Sequence, residues 1–158
     1  MSAERDKLAE VRLDEGSLAP ASPNLEQERR IALFDLLESN SFAVPGQDRG
    51  PYTLELGMHD GRLALRIISA DGQGVITHIV SLSPVRKLIK DYFLICESYY
   101  AAIRNAPPAQ IEAIDMGRRG LHNEAADVLM RALDGKVALD HETARRLFTL
   151  ICALQARG

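Results

Sequence analysis

The most regular pattern of apolar and polar residues runs over residues 83–104 and predicts a long helix. Ser83 suits the N-cap, and Pro84 suits the first helical position, where its missing N–H costs nothing. At 100° per residue the apolar side chains fall in one arc of roughly 160°, with the charged ones opposite. A helix on a protein surface needs only about 100° of apolar arc. The pattern therefore predicts a central helix, with a sheet on one flank and other helices on the next.

The side chains of this arc are expected to form the core. Those expected to be largely buried are Tyr92, Ile95, Cys96, Tyr99 and Ile103. With Tyr100, three of the four tyrosines of the chain lie here. We expect them to be core and interface residues rather than a platform on which bases stack.

Strict alternation of apolar and polar residues predicts strands before this helix. Residues 52–59 alternate, the pair Asp60-Gly61 suits a two-residue hairpin turn, and residues 63–67 alternate again. Asp71-Gly72 begins a second turn, and residues 75–81 form a third strand that leads directly into the helix. We expect an antiparallel meander with one face on the core. A further short strand is expected at residues 9–13.

Three other stretches have helical periodicity: residues 25–39, residues 109–133, and the stretch that follows Asp140. Asn24 and Asp140 suit the caps of the first and the last. Pro108 suits the start of the middle one, and Gly135 suits a position just past its end. A short extended piece is expected at residues 42–44, between loops at residues 16–24 and 45–51.

These elements predict a single α+β domain over residues 1–158. It consists of a small antiparallel β-meander packed against helices and an all-helical C-terminal half, residues 83–156. A chain of 158 residues is long enough to bury a substantial core. Residues 1–6 are expected to be disordered.

The composition is that of an ordinary soluble domain, with 46% apolar and 26% charged residues. The net charge of −3 lacks the basic excess of proteins that bind nucleic acid or anionic membranes. No apolar segment suggests a signal peptide or a membrane span. The two cysteines, Cys96 and Cys152, lie in separate apolar helical patterns, which favours free thiols. We expect a cytoplasmic protein with neither a nucleic-acid nor a membrane partner.

One polar cluster, IDMGRRGLHNEA at residues 114–125, has the residue types that chemistry uses. In a continuous helix Arg118 falls on the apolar face, whereas Asp115, Arg119, His122 and Asn123 fall on the opposite one. A buried arginine keeps its charge and needs partners, for which Glu97 and Glu124 are candidates. Two glycines, 117 and 120, indicate either close approach of a neighbour or a break in the helix.

The break is the alternative interpretation. A helix that began at Leu121 would offer free N–H groups beside Arg118 and Arg119, which together suit a phosphate or carboxylate. His122, Asn123 and Glu124 would then supply acid-base or orienting groups. The continuous helix, with an arginine–carboxylate network that fixes helix packing, is the favoured hypothesis, and both remain open from the sequence.

The other candidates for chemistry have a weaker basis. The histidines at 59, 78, 122 and 141 lack the spacing of metal ligands, so neither a metal site nor a cofactor is expected. Cys96 lies within the apolar arc and is expected to be a packing residue rather than a nucleophile.

The chain resembles the uncharacterised bacterial protein family UPF0262. The resemblance is carried by the segments RRIALFDLLESNSF (residues 29–42), GPYTLEL (50–56), THIVSLSPVRKLIKDYFLICESYYAAIR (77–104), QIEAIDMGRRGLHNEAADVL (110–129) and ARRLFTLICALQ (144–155). It covers nearly everything after residue 7. It implies a bacterial cytoplasmic protein and brings no activity, cofactor or catalytic residue with it.

Two classes of function follow. The first is a non-enzymatic interaction or regulatory protein with a protein partner or a second copy of itself, favoured by the excess of apolar helical surface. The second is a protein or enzyme that binds a small anion through Arg118, Arg119, His122, Asn123 and Glu124. Whether the chain is an enzyme stays open.

Overall fold

The computed structural model describes residues 4–18 and 22–155. Three predicted segments lie partly outside these ranges: the disordered start at residues 1–3, the loop at residues 19–21, and the helical half at residue 156. The elements in chain order are β1 (Leu8–Leu13), a 3₁₀ turn (Glu15–Ser17), α1 (Pro23–Glu38), β2 (Phe42–Ala43), β3 (Tyr52–His59), β4 (Arg62–Ile68), β5 (Val75–Val80), a second 3₁₀ turn (Ser83–Val85), α2 (Arg86–Asn105), α3 (Pro108–Ala132), β6 (Ala138–Leu139) and α4 (His141–Ala153).

The sheet contains the predicted meander and one addition. Strands β3, β4 and β5 pair antiparallel in sequence order. Asp60 and Gly61 at the first turn have φ angles of 51° and 78°, the positive values that this hairpin turn requires. Strand β1 joins the edge of β3 in parallel, so the sheet is mixed rather than purely antiparallel. The α+β prediction is confirmed, and the pairing of β2 with β6 adds a two-stranded sheet.

The helix with the most buried residues is α4 rather than α2. Eight of the 13 residues of α4 are buried, against five of the 20 residues of α2. Helix α4 packs on α1 and α3, whereas the main helical neighbour of α2 is α3. The prediction that α2 is the central helix is therefore wrong, because periodicity shows which side of a helix is apolar and not how many neighbours cover it.

The five side chains of α2 that were predicted to be buried differ in how far they are buried. Tyr92 and Cys96 are buried, as expected. Ile95 and Tyr99 are half-buried. Ile103 is 48% exposed, which contradicts its prediction, because it lies near the end of α2, where the described residues cover little of its side chain. The buried apolar side chains of the sheet and the helices belong to the same cluster.

Side-chain caps precede α1 and α4, whereas α2 begins at Arg86 after a 3₁₀ turn and has no side-chain cap, so the predicted Ser83 cap is wrong. Asp140 caps α4 as predicted, since its Oδ1 accepts a hydrogen bond from the Thr143 N–H at 2.9 Å. The cap of α1 is Ser22 rather than Asn24, and its Oγ accepts from the Leu25 N–H at 3.2 Å. Pro23 then occupies the first helical position, which moves the start of α1 two residues upstream of the predicted one.

The far end of α1 is fixed to its neighbours by polar side chains. Asn40 exchanges hydrogen bonds with the Leu8 backbone of β1, and its amide also donates to the Leu36 carbonyl at 2.8 Å. The guanidinium of Arg146 on α4 donates to the carbonyls of Asp35 in the last turn of α1 and of Ser39, its C-cap residue. These contacts satisfy carbonyls that a helix end leaves without partners.

Residues that precede β1 are joined to the rest of the chain. The Asp6 carbonyl accepts from the Phe42 N–H at 3.0 Å, and the Lys7 carbonyl accepts from the Tyr52 N–H at 2.8 Å. Gly50 lies so close to this segment that a Cβ atom there would be 1.8 Å from the Arg5 carbonyl oxygen. Only glycine fits at that position.

Every helix in the described ranges is too short or too polar to cross a membrane.

The burial of α4 predicts unequal costs for two truncations. Phe148→Ala removes a side chain with no exposed surface and should lower the free energy of unfolding by about 3–5 kcal/mol. Ile103→Ala should change it by no more than about 0.5 kcal/mol. Urea unfolding of both variants measures the two values, and similar losses would contradict the assignment of α4 to the core.

Candidate functional site

Helix α3 runs without interruption through the polar cluster, so residues 117–120 do not break it. A Cβ atom at Gly117 would lie 3.2 Å from Cδ1 of Ile95, whereas one at Gly120 would have nothing within 4 Å. Gly117 therefore marks the close approach of α2 to α3, and Gly120 has no such role. The alternative interpretation, an anion site at a helix break, depends on free N–H groups. With the helix intact, those N–H groups are already bonded within α3.

Arg118 lies at the junction of α1, α2 and α3. Its side chain is only 18% exposed, and its guanidinium lies 3.1 Å from Oδ1 of Asp115 and 3.5 Å from Oε2 of Glu28. The same guanidinium stacks 4.0 Å from the centre of the Tyr99 ring. The sequence had suggested Glu97 and Glu124 as partners. Asp115 serves because the long arginine side chain reaches back one turn of its own helix.

The environment of Arg118 favours its charged form. Burial by itself lowers the pKa of a guanidinium, but the carboxylates of Glu28 and Asp115 outweigh that effect and raise the pKa of Arg118. A permanently charged group that is largely removed from water needs such compensation. The positive charge of Arg118 is thus already matched by negative charges within the described chain.

Glu28 is the member of this network that sequence reasoning missed. Besides facing Arg118, its carboxylate accepts a hydrogen bond from the Tyr100 hydroxyl on α2. Burial and the Glu28 carboxylate both raise the pKa of Tyr100, which keeps its proton on the hydroxyl. Glu28 therefore links the first half of α1 to α2 and α3. The signal in the sequence that could have pointed to Glu28 is its position as an acidic residue shortly before the apolar residues of α1.

Arg119 has a different environment from Arg118. Its side chain is 72% exposed and forms an ion pair with Asp115, with 2.9 Å between Nη2 and Oδ2. Asp115 thus lies between the two arginines and contacts both. An anion site at a helix break would use Arg118 and Arg119 in the same way, but the two arginines differ in exposure and in partners.

His122 lies in an aromatic cluster rather than beside the arginines' carboxylates. The centre of its ring lies 5.4 Å from that of Tyr92 and 6.1 Å from that of Phe148, both in edge-to-face geometry. Burial, together with the nearby charges of Arg145 and Arg118, lowers the pKa of His122 to about 4. His122 is therefore neutral at pH 7 and packs as an aromatic residue.

The remaining two members of the predicted cluster face solvent. Asn123 is exposed, and its backbone carbonyl lies 3.3 Å from Nε2 of His141. Glu124 is exposed as well. The five predicted side chains thus occupy three different surroundings: Arg118 in the helix junction, His122 in the aromatic cluster, and the other three at the surface.

The two cysteines are free and buried, which confirms the prediction of two thiols. Burial raises the pKa of the Cys96 thiol to about 11 and also raises that of Cys152. Thiols with raised pKa values are poor nucleophiles at neutral pH. Within residues 4–18 and 22–155, no three His, Cys, Asp or Glu side chains are grouped closely enough to hold a metal ion.

The contrast between the two arginines gives a first prediction for this site. Arg118→Ala leaves Glu28 without its charged partner and should lower the free energy of unfolding by about 2–4 kcal/mol. Arg119→Ala removes only an exposed pair and should cost less than about 1 kcal/mol. Thermal unfolding of both single variants measures the difference, and equal effects would contradict the packing role of Arg118.

The two glycines of α3 give a second prediction. Gly120→Ala should raise the free energy of unfolding by about 0.5–1 kcal/mol, because alanine is favoured inside a helix and has room there. Gly117→Ala should gain less, because its new methyl group crowds Ile95. Denaturant midpoints compare the two variants, and an equal gain at both positions would argue against close approach at Gly117.

His122 gives a third prediction, on pH. Its pKa is lower in the folded chain, so protonation favours unfolding. Stability should be complete above pH 6.5, the ordinary histidine value, and should fall with pH until about pH 4. The part due to His122 is about 3 kcal/mol, at about 1.4 kcal/mol per pKa unit.

His122→Phe, which keeps the aromatic packing, should flatten this part of the stability curve. The control substitution is His59→Asn, which removes a histidine whose side chain is 69% exposed. Urea unfolding at intervals between pH 4 and pH 7 is the measurement. A His122→Phe curve with the wild-type slope would show that His122 does not titrate as its burial requires.

Comparison with known proteins identifies relatives but no structural neighbour. The chain is 60% identical to a UPF0262 protein of Methylobacterium radiotolerans, over 97% of this chain and 95% of the relative. A UPF0262 protein of Phenylobacterium zucineum is 59% identical over 98% and 96% of the two chains, and one of Rhizobium meliloti is 55% identical over the full length of both. No solved structure matches.

These relatives are bacterial proteins, and they match this chain along nearly all of their own length. The model of a family described as "Uncharacterised protein family (UPF0262)" matches residues 5–157. The match includes every helix and strand of the fold described above. The chain belongs to the UPF0262 family.

Proposed function

We propose that this chain is a non-enzymatic interaction or regulatory protein of the bacterial cytoplasm, which binds a protein partner or a second copy of itself. The observation that carries the proposal is the exposure of large apolar side chains on three helices. Phe34 on α1 is 65% exposed, and Ile31 lies one turn before it on the same face. Leu94 on α2 and Met116 on α3 are more than half exposed. Exposed apolar side chains that lie together, as Ile31 and Phe34 do, are typical of protein interfaces.

The state of the polar cluster supports the same class of function. Binding a small anion requires positive charge that is available, and Glu28 and Asp115 already neutralise Arg118. The exposed Arg119 pairs with Asp115 as well. A neutral His122 between aromatic rings adds no positive charge. The two free, buried thiols suit the reducing cytoplasm.

The proposal is tested by affinity capture from a bacterial lysate with the wild-type chain and three surface variants. Phe34→Ser, Leu94→Ser and Met116→Ser each remove one exposed apolar group without touching the core. A protein retained by the wild type and lost with at least one variant is then purified, and its binding is measured directly. Light scattering tests self-association in the same way. A wild-type chain that is monomeric and retains no such protein would contradict the proposal.

The same samples distinguish the alternative of a small-anion site. A ligand that binds only the folded state raises its unfolding temperature. We expect inorganic phosphate to leave the unfolding temperature of the wild type unchanged beyond the general effect of salt, measured with chloride at equal ionic strength. Specific stabilisation by phosphate that Arg118→Ala and Arg119→Ala both abolish would favour the anion site instead.

A further inference from the structure

A groove of about 970 Å³ runs along one side of α2. Its apolar lining, which we call the floor, includes Ile89, Phe93 and Leu94. Its cations, which we call the edge, are Arg86, Lys87 and Lys90, and Glu97 also lines it. Gly61 at the β3–β4 turn and Gln155 after α4 line the groove from outside α2. We call this feature the cationic groove. None of its residues belongs to the Arg118 network described above.

Two of the three cations in the groove have no partner in the described part of the chain. Lys87 pairs with Asp91, with 2.7 Å between Nζ and Oδ2. The side chains of Arg86 and Lys90 form no hydrogen bond or ion pair with any described residue. They lie one helical turn apart, so their charges act at the same edge of the groove. This positive edge stands out on a chain whose net charge is −3.

The position of these cations is unfavourable for the helix that carries them. Arg86 and Lys87 occupy the first turn of α2, which contains no acidic residue. The positive end of the helix dipole lies there and disfavours cations. Local arrangements that disfavour the fold and lack an internal compensation are common at binding sites. A negatively charged occupant would compensate both the dipole and the two unpaired cations.

We propose that the cationic groove binds an amphipathic helix of a partner protein, with an apolar stripe flanked by carboxylates. This inference rests on the proposed interaction function and names the surface and the chemistry of the partner. From Arg86 to Glu97 the groove extends along α2 for about 16 Å, or roughly three helical turns. A helix of that length places apolar residues on the floor and acidic residues against Arg86 and Lys90.

The shape of the groove favours a helix over other anionic occupants. Pockets for small molecules enclose most of their ligand and orient it with a few buried polar groups. Here the cations lie on an exposed edge, and Leu94 on the floor is 54% exposed. A flat membrane surface would contact both sides of a concave groove and would not reach its apolar floor. Charge complementarity together with an open apolar floor fits an acidic helix.

The test uses three synthetic peptides of about 14 residues, a length that spans the groove. The first has leucines at helical spacing flanked by glutamates, the second has lysines in place of the glutamates, and the third has the first peptide's residues in scrambled order. Fluorescence anisotropy measures the Kd of each for the wild-type chain. We expect the acidic amphipathic peptide to bind at least about tenfold more tightly than the other two. Equal binding of the three would overturn the proposal.

Variants of the protein locate the binding. Arg86→Glu combined with Lys90→Glu should weaken binding of the acidic peptide at least about tenfold. The control, Arg30→Glu combined with Arg131→Glu, makes the same change in net charge on exposed residues outside the groove and should change Kd less than twofold. Leu94→Ser should weaken binding, and Ile103→Ser should not. Equal losses in the paired charge variants would show attraction by net charge alone and overturn the proposal.

Two further outcomes are distinguished in the same series. The wild-type chain could bind vesicles of anionic phospholipid but not the acidic peptide, and the Arg86→Glu, Lys90→Glu variant could lose the vesicle binding. That result would overturn the proposal and show that the groove binds a membrane surface rather than a helix. Failure of the acidic peptide to bind, while the wild-type chain still retains a partner in the capture experiment, would reject the groove and leave the proposed function standing. A cooperative unfolding transition confirms that each variant is folded.

Discussion

A guanidinium group keeps its proton inside a protein, so Arg118 must be neutralised wherever α3 packs against its neighbours. Glu28 and Asp115 provide the negative charge, and the Tyr99 ring covers one face of the guanidinium. Because Glu28 is on α1 and Tyr99 is on α2, this requirement brings three helices together at one point. Helix α1 is joined to this point by Glu28.

Helix α1 has little apolar burial of its own. Only Ala32 and Leu36 of its 16 residues are buried. Its partly buried apolar residues also pack against the core, and polar contacts fix α1 near both ends: Glu28 towards its start, and Asn40 and Arg146 at its end. These contacts orient α1 so that Ile31 and Phe34 face solvent. The same network that satisfies a buried charge thus leaves exposed the apolar surface on which the proposed interaction function rests.

The sequence predicts the local elements of this fold well. Alternation and the Asp60-Gly61 turn predict the meander, and Asp140 predicts the start of α4, because both signals depend on neighbouring residues alone. The Ser22 cap was also accessible, since a proline at the first helical position places the cap one residue earlier. The continuity of α3 was favoured correctly because its apolar period persists through both glycines.

Long-range features were beyond the same reasoning. The parallel pairing of β1 with β3 joins residues about forty positions apart, and Glu28 lies ninety residues from Arg118. A helical wheel places Ile103 on the apolar side of α2, but its exposure depends on where neighbouring helices end. For the candidate site, the burial of Arg118 was predictable from its own helix, whereas its partner on α1 required the tertiary structure.

The central claim is that Arg118 serves helix packing through Glu28, and a double-mutant cycle between these two residues tests it most directly. Glu28→Gln removes the charge but keeps an acceptor for the Tyr100 hydroxyl, and Arg118→Met keeps much of the side-chain volume. The free energies of unfolding of the wild type, both single variants and the double variant give the coupling energy. The account predicts favourable coupling of about 1–3 kcal/mol between the two residues. Additive effects, with no coupling beyond experimental error, would contradict it.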